Sequence, residues 1–250
     1  MTVPLPRTIF MTDTERFSHR DDVQQAYLRR MLNGIVDRTL EAAGIDRTQR
    51  LRADRGDSIM ELIDPHAPLT ALLRALITEV PAQLRAVNRM AASSAQIRLR
   101  AVLATGYVAI DEYDGWVGTD LNETCRLLDG AVLRAALRER TDDYALCVSP
   151  QVYAGIVRHN HMGIPAEEFT EIAVDSKNGR LNAWLYGPLP QGTPAPEPEG
   201  IPHSGPGAAP EARSAAVQPT FRFEGPVTGG VFGGTNHGVA GNVHWGGDHR

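Results

Sequence analysis

The patterned part of the chain begins with Thr8-Ile9-Phe10-Met11-Thr12-Asp13-Thr14-Glu15-Arg16-Phe17-Ser18. Its first five residues form a short apolar run, which predicts a buried strand that ends at Asp13. An amphipathic helix follows, because apolar side chains recur at three- and four-residue spacing until Gly44 closes the helix. The residues of that apolar stripe are Tyr27, Leu28, Met31, Leu32, Ile35, Val36 and Leu40. The first unit of the fold is therefore a strand followed by a helix.

A hairpin and a second helix come next. Two strands, at 50–53 and 58–63, flank Asp54-Arg55-Gly56-Asp57, and this pattern predicts a hairpin with those four residues as its turn. A second helix is predicted after Pro68, where apolar residues again recur at helical spacing. The following run, 97–103, alternates apolar and other residues, so we expect a half-exposed strand. The residues expected on its outer face are Arg98, Arg100 and Val102.

The remaining patterns predict one more helix and three more strands. The third helix is indicated by the spacing of Leu121, Cys125, Leu128 and Leu133, after a loop at 111–118. The strand-like runs are Tyr144 to Val148, Phe169 to Val174, and Leu181 to Tyr186. The order β-α-β-β-α-β, followed by α-β units, predicts an α+β fold with a ferredoxin-like antiparallel sheet and helices on one face.

Composition limits the classes of partner. The net charge is −5, so no basic stripe is available to neutralise phosphates, and a nucleic-acid partner is not expected. No apolar run approaches the roughly 20 residues that a membrane span needs, and residues 1–10 lack a signal-peptide pattern, so we expect a cytoplasmic protein. Cys125 and Cys147 lie in apolar sequence and are expected to pack as reduced thiols, with a disulfide as the alternative.

The chain divides into three parts by composition. Residues 1–187 carry the helix and strand patterns and form the predicted domain. Residues 188–219 are dominated by Pro, Gly, Ala and Glu, which cannot bury enough apolar area to offset the entropy of ordering, so they predict a disordered linker. Residues 220–250 form a Gly-rich tail that is almost uncharged between Gly225 and Gly247.

Two carboxylates mark a candidate site. Asp13 ends the first predicted strand, and Asp57 lies at the tip of the predicted hairpin. Because these strands would be neighbours in the sheet, the two side chains could converge and hold a hard cation such as Mg²⁺ together with substrate phosphates. The alternative is structural: Asp13 would cap a turn before Ser18, and Asp57 would fill a turn beside Gly56.

Three motifs in order resemble the catalytic domain of class III nucleotidyl cyclases. The first strand with its Asp-x-x-x-Phe-Ser continuation, at 13–18, resembles the family's metal-binding strand and phosphate loop. Arg55-Gly56-Asp57-Ser58 resembles its Gly-Asp hairpin. The Gly-x-x-x-Asn-x-x-x-Arg pattern at 118–126 resembles the start of its catalytic helix. The resemblance covers Thr8 to Gly187 and implies a domain that acts on nucleoside triphosphates.

The resemblance implies a role for each matching residue. Asp13 and Asp57, with the carbonyl of Thr14, would hold two Mg²⁺ or Mn²⁺ ions. Asn122 would orient the ribose, and Arg126 would stabilise the charge that develops during phosphoryl transfer. The alternative for this pair is an ordinary solvent-facing position on a helix, although their spacing places them on one face. The family builds its site between two protomers, which implies a homodimer. The residues implied in the phosphate loop are Phe17 and Ser18.

The positions that select the base depart from the family pattern. Ala53 stands four residues before the hairpin aspartate, and Gly115 precedes the third motif, with Asp114 beside it. A late phosphate-binding lysine is also displaced, since Asp175 lies near its position and Lys177 two residues beyond. The base is therefore unassigned, a pyrimidine included. Two functions stay open: a cyclase, or an inactive cyclase-like module that binds a nucleotide or acts as an adaptor.

The tail repeats a short pattern after twelve residues. β-Branched residues and glycines recur at low charge, which suits stacked β-arches, whereas the alternative is a disordered tether. The repeated positions are Val227, Gly229 and Val231, which correspond to Val239, Gly241 and Val243. The tail resembles the amyloid signalling motifs of bacterial immune proteins. This resemblance implies a partner protein with a matching motif and a role in stress or antiphage signalling.

Overall fold

A computed structural model of the chain describes residues 3–176 and 179–193. Lys177, most of the predicted linker and the whole predicted tail, 220–250, lie outside the described residues, so the expectations for them stay predictions. The strands are β1 (Leu5–Thr14), β2 (Arg50–Asp54), β3 (Ser58–Ile63), β4 (Leu99–Ile110), β5 (Trp116–Val117), β6 (Tyr144–Val148), β7 (Phe169–Ser176) and β8 (Gly179–Tyr186). The helices are α1 (Asp22–Ala42), α2 (Leu69–Met90), α3 (Thr119–Leu128), α4 (Ala131–Glu139) and α5 (Pro150–Gly155).

The strands form one sheet in the order β2-β3-β1-β4-β6-β8-β7, with β5 paired to β4. Neighbouring strands are antiparallel except β4 and β6, which are parallel. The predicted α+β fold with a largely antiparallel sheet is confirmed. The predicted strands and the first two helices are all present, and the hairpin joins β2 to β3 as expected.

The helices cover both faces of the sheet, so the expectation of helices on one face was wrong. Phe10 of β1 packs among buried residues of α1 and α2, whereas its neighbours Ile9 and Met11 pack with α3 and α4. Because successive side chains of a strand point to opposite faces, an unbroken apolar run such as this requires cover on both sides.

Strand β4 is also more buried than its alternation predicted. Val102 is fully buried and Arg100 is almost so, because α3 and α4 lie over the face that these residues share. The sequence pattern predicted that this face is exposed to solvent, since two of its three residues, Arg98 and Arg100, are charged. The burial of Arg100 has a consequence for the site described below.

Two smaller expectations have clear outcomes. Cys125 and Cys147 are both free thiols, as expected, and burial raises the pKa of Cys147 to about 12. No helix within the described residues is long and apolar enough to cross a membrane.

The third predicted helix is two helices. Helix α3 ends at Leu128, and α4 begins again at Ala131 after the N-cap residue Gly130. The chain turns there in contact with β7: a Cβ atom on Gly130 would lie 2.8 Å from Val174 Cγ1 and 3.0 Å from the carbonyl oxygen of Leu127. The bare backbone of Gly130 therefore allows α3 and α4 to pack together on the sheet.

We expect Gly130→Ala to lower the free energy of unfolding by about 1–3 kcal/mol, because the new methyl group overlaps a stiff side chain and a backbone oxygen. Gly155→Ala in α5 is the matched control, since nothing lies within 4 Å of its added Cβ. That change should be neutral or stabilise by up to about 1 kcal/mol. Chemical denaturation of both variants measures the difference, and equal effects would contradict the packing described here.

Candidate functional site

Asp13 lies near the end of β1 and directly opposite Arg100 of β4 in the strand register. The carboxylate of Asp13 accepts a hydrogen bond from Arg100 Nη2, and the side chains are only 15% and 11% exposed, so water screens the pair little. Burial raises the pKa of Asp13, Arg100 opposes that rise, and the charges of Asp57 and Asp129 add to it. The strand end therefore carries a carboxylate whose charge depends on a neighbouring cation.

Arg100 also contacts the end of a helix. Its Nη1 donates to the carbonyl oxygen of Leu128, 3.3 Å away, at the C-terminus of α3. Helix C-termini carry partial negative charge and favour cations. Its Nε is buried without a hydrogen-bond partner among the described residues. The sequence analysis did not predict a role for Arg100. The observation that could have indicated one is that Arg100 lies two residues before Val102, on the same face of the strand.

The hairpin brings Asp57 beside the end of β1. The amide of Thr14 donates to the carbonyl oxygen of Asp57 at 2.9 Å, and the amide of Gly56 donates to Asp54 Oδ1 at 2.8 Å. Gly56 has φ +93°, a conformation that glycine adopts without strain. The side chain of Asp57 is half-buried and makes no hydrogen bond or ion pair with the described residues. The structure thus places Asp57 beside Asp13 and Thr14 at the end of β1.

A buried cluster of charges fixes the hairpin to α1. Glu61 of β3 is fully buried, and its Oε1 accepts from Arg50 Nη1 and Arg52 Nε of β2, both at 2.6 Å. The two guanidinium groups also donate to Asp37 of α1, at 2.9 Å and 2.6 Å. Burial raises the pKa of Glu61, whereas the two arginines lower it. Removing one partner of such a cluster would leave an uncompensated buried charge, so the hairpin is held firmly against α1.

The predicted phosphate loop follows β1 directly. Arg16 has φ +56°, in the left-handed region, and the next three residues form a 3-10 helix, Phe17–His19. Phe17 packs partly buried against the α1 and α2 side of the core, and Ser18 is exposed. The loop is anchored by Arg98, whose carbonyl accepts from Glu15 N at 2.9 Å and whose Nη1 pairs with Glu15 Oε2 at 3.0 Å.

Helix α3 begins close against β4. Asp120 accepts a hydrogen bond from the amide of Tyr107 at 2.6 Å, and a Cβ atom on Gly106 would lie 2.2 Å from Asp120 Cβ. Further along this helix, Asn122 is exposed and Arg126 is partly exposed, one turn apart on one face. Neither side chain is bonded to another described residue. The structure therefore presents the pair at the surface of α3 and joins it by no contact to Asp13 or Asp57.

A cleft of about 330 Å³ lies between the hairpin and the β4–β5 segment. It contains Ala53, which sequence analysis placed at a base-selecting position, and Asp114, the neighbour of the other such position. The sequence did not predict the remaining wall, because its residues come from the hairpin, from β4 and β5 and from α3, which are far apart in the chain. The other lining residues are Leu51, Arg52, Arg55, Met60, Ile110, Trp116 and Leu121.

The donor set fits a hard divalent cation. Asp13 and Asp57 supply carboxylate oxygens, and Asp57 has no competing partner among the described residues. No group of three or more His, Cys, Asp or Glu side chains forms a metal cage within 3–176 and 179–193. Mg²⁺ is commonly held by one or two carboxylates with substrate phosphates and water, so two carboxylates are sufficient protein ligands.

Solved structures share this arrangement of strands and helices. The guanylyl cyclase Cya2 superposes with a TM-score of 0.52 at 15% identity, over 77% of this chain and 97% of that one. An adenylate/guanylate cyclase/hydrolase from Silicibacter pomeroyi has a TM-score of 0.52 and a sequence identity of 16%. The match covers 75% of this chain and 99% of that one. A bacterial light-regulated adenylyl cyclase has a TM-score of 0.52 and a sequence identity of 15%. The match covers 74% of this chain and 52% of that one. The chain has the fold of nucleotidyl cyclase domains. No protein-family model and no curated protein sequence matches it.

We expect Arg100→Gln to raise the pKa of Asp13 further, because burial then acts without the opposing guanidinium. The measurement is an NMR titration of the aspartate side-chain carboxyl carbons. Arg126→Gln is the matched control, since Arg126 has no bond to Asp13, and it should leave that titration unchanged. A pKa of Asp13 that stays the same in Arg100→Gln would contradict the ion pair.

Proposed function

We propose that the domain is a metal-dependent nucleotidyl cyclase, which converts a nucleoside triphosphate into a 3′,5′-cyclic nucleotide and pyrophosphate. The observation that carries this proposal is the convergence of Asp13 and Asp57 at one end of a cyclase-type sheet, with Arg100 beside them. In the reaction the 3′ oxygen bonds to the α-phosphorus, the bond from that phosphorus to the pyrophosphate oxygen breaks, and the hydroxyl proton passes to solvent.

One chain would supply the metal ligands, the phosphate loop and the cleft for the base. Asp13, Asp57 and the carbonyl of Thr14 would hold Mg²⁺ or Mn²⁺, which when bound supplies positive charge to the triphosphate and the attacking oxygen. Arg100 places a guanidinium within this region and offers a buried, unpartnered Nε. The 3-10 helix that contains Phe17 and Ser18 would lie along the phosphates, and the cleft beside Ala53 would receive the base.

The remaining residues of the proposed site are assigned to a second copy of the chain. The side chains of Asn122 and Arg126 lie on the outer face of α3 and make no hydrogen bond or ion pair with the described residues, Asp13 and Asp57 included. We assign them to the site of a partner protomer, so that a two-fold symmetric homodimer has two equivalent sites. Arg126 would then stabilise charge on the transferring phosphoryl group, and Asn122 would position the ribose.

Asp57→Ala should abolish product formation and leave the fold intact, because its side chain packs little and makes no bond among the described residues. The assay incubates the protein with Mn²⁺ and each of the four nucleoside triphosphates, and separates cyclic products by chromatography. Asp64→Ala is the control, since Asp64 follows the opposite end of β3 and its side chain bonds only to His66 among the described residues. Cyclic product from Asp57→Ala at the wild-type rate would contradict the assignment.

A second function, a non-catalytic nucleotide-binding module, is favoured by one observation. Arg100 occupies one carboxylate oxygen of Asp13, which a metal ion would otherwise use. The panel of triphosphates separates the two functions. Binding of a triphosphate without any cyclic product favours the module, whereas turnover favours the cyclase.

The composite site predicts complementation between two inactive variants. Asp13→Ala and Arg126→Ala should each abolish activity in a homodimer, because each removes a group from both sites. In a co-expressed heterodimer one site keeps every group, so activity should return to about half of the wild-type value or less. Mass spectrometry verifies the heterodimer. Verified heterodimers without activity would show that each site is built from a single chain.

The tail belongs to the proposal on sequence grounds alone. We assign residues 220–250 to recruitment of a partner protein with a matching amyloid motif, in stress or antiphage signalling. A peptide of these residues should form β-rich fibrils, and Lys at Val231 and Val243 should prevent them, since like charges would stack about 4.8 Å apart. Dye binding and electron microscopy measure this. A wild-type peptide that stays monomeric would remove this part of the proposal.

A further inference from the structure

A second cleft, of about 430 Å³, lies between α2 and the adjoining ends of β6 and β8. Its apolar wall is formed by residues of α2, and its polar wall by residues just before and at the start of β6, just before β7 and at the end of β8. None of its lining residues belongs to the candidate cyclase site. The volume lies within the range of small-molecule sites, about 300–1,000 Å³. The apolar residues of α2 in this wall are Ile77, Pro81 and Leu84.

Tyr144 supplies a buried donor to this cleft. Tyr144 is one of the residues that line the cleft and is 5% exposed, yet its hydroxyl has no hydrogen-bond partner among the described residues. A buried hydroxyl is costly without a partner, and most buried polar groups have one. Burial also raises the pKa of Tyr144, so the hydroxyl stays protonated and can donate. The unpaired hydroxyl therefore points to an acceptor supplied by a ligand.

Arg140 adds a second unpaired donor on the same wall. Its Nη2 donates to the carbonyl oxygens of Tyr186 at 2.6 Å and Pro188 at 2.9 Å, on either side of Gly187. Gly187 has φ +81°, which turns both carbonyls towards the guanidinium. The Nε of Arg140 is buried and has no partner in the described part of the chain. These bonds fix the side chain, and the buried Nε–H is the donor that stays unpaired among the described residues.

Most acidic groups of the cleft already have partners. Glu168 is hydrogen-bonded to the hydroxyl of Tyr186, and Asp143 accepts from Asn88 Nδ2 at 2.7 Å and pairs with Arg98 at 3.3 Å. Asp142 is exposed, and its side chain makes no bond among the described residues. Arg85, on the opposite side of the cleft, is also exposed and also makes no such bond. The unpaired groups in the interior of the cleft are therefore donors, and the cation Arg85 lies at its exposed part.

We propose that this cleft binds a small monocarboxylate with an apolar ring. The ring would pack on the α2 wall, and the carboxylate would accept from the hydroxyl of Tyr144 and from Arg140 Nε, with Arg85 contributing positive charge. Two unpaired donors in one cleft favour a head group that accepts hydrogen bonds, whereas an ammonium head group would leave both donors unpaired. This site is separate from the proposed cyclase site, so its test does not depend on cyclase activity.

The test uses the full chain with benzoate as the probe, benzylamine as the cationic control, and NMR titration or calorimetry as the readout. Benzoate should bind once per chain with a Kd of about 1 mM, a value common for a ligand of this size. Benzylamine should not bind. In Tyr144→Phe the affinity for benzoate should fall about tenfold, while the thermal midpoint without benzoate is unchanged or higher. The matched control is Tyr107→Phe, because Tyr107 is exposed and outside the cleft.

Several results would overturn the proposal. They are the absence of benzoate binding, equal binding of benzylamine, or unchanged benzoate affinity in Tyr144→Phe. A clearly lower thermal midpoint of Tyr144→Phe would show that the hydroxyl has a structural partner, and would also overturn it. Should that variant fail to fold, Arg85→Gln serves instead, since Arg85 is exposed and unbonded among the described residues. It should weaken benzoate binding about threefold, and unchanged affinity would count against the site.

Discussion

The pairing of β1 with β4 places a carboxylate and a guanidinium side by side under a helix. Asp13 and Arg100 face each other across the register, and α3 ends above them with the Leu128 carbonyl bonded to Arg100. Each charge would be costly alone at this depth, so each requires the other. This constraint fixes the end of α3 over the end of β1. The candidate carboxylates and the helix that carries Asn122 and Arg126 therefore have fixed positions on one domain.

The second carboxylate depends on a different set of charges. Asp57 lies on a hairpin whose strands contain Arg50, Arg52 and Glu61, and these hold the hairpin against Asp37 of α1. The tip of the hairpin then meets β1 through the bond from the Thr14 amide to the carbonyl oxygen of Asp57. Two ionic clusters on opposite faces of the sheet thus set the two carboxylates. The site is preorganised by the fold, which is what phosphoryl transfer by positioning and electrostatics requires.

Local patterns in the sequence were sufficient for most of the fold. The strand ending at Asp13, the first two helices and the hairpin each depend on residues close in the chain, so periodicity and turn residues predicted them. The end of α3 was missed because it depends on contact between Gly130 and Val174 of a distant strand. The burial of Arg100 was missed because cover by α3 and α4 is a tertiary property that strand alternation does not contain.

The candidate site was predicted unevenly for the same reason. The proximity of Asp13 and Asp57 was predicted because a βαββ order makes their strands neighbours, whereas Thr14 came from the family resemblance. The shared face of Asn122 and Arg126 follows from their spacing. The cleft beside Ala53 was not found, since Trp116 and Met60 reach it from strands far apart in sequence. The roles proposed for Asn122 and Arg126 depend on contact with a second protomer, which is not a property of local sequence patterns.

We propose that Asp13 and Asp57 together bind a metal ion and a triphosphate. The most direct test of this proposal is anomalous diffraction at the manganese edge, from crystals grown with Mn²⁺ and a nucleoside triphosphate that lacks the 3′-hydroxyl and cannot react. We predict anomalous density between the two carboxylates, with Arg100 turned towards the phosphates. The proposal would be contradicted by crystals that contain bound triphosphate, show no anomalous density between the two carboxylates and keep Asp13 bonded to Arg100.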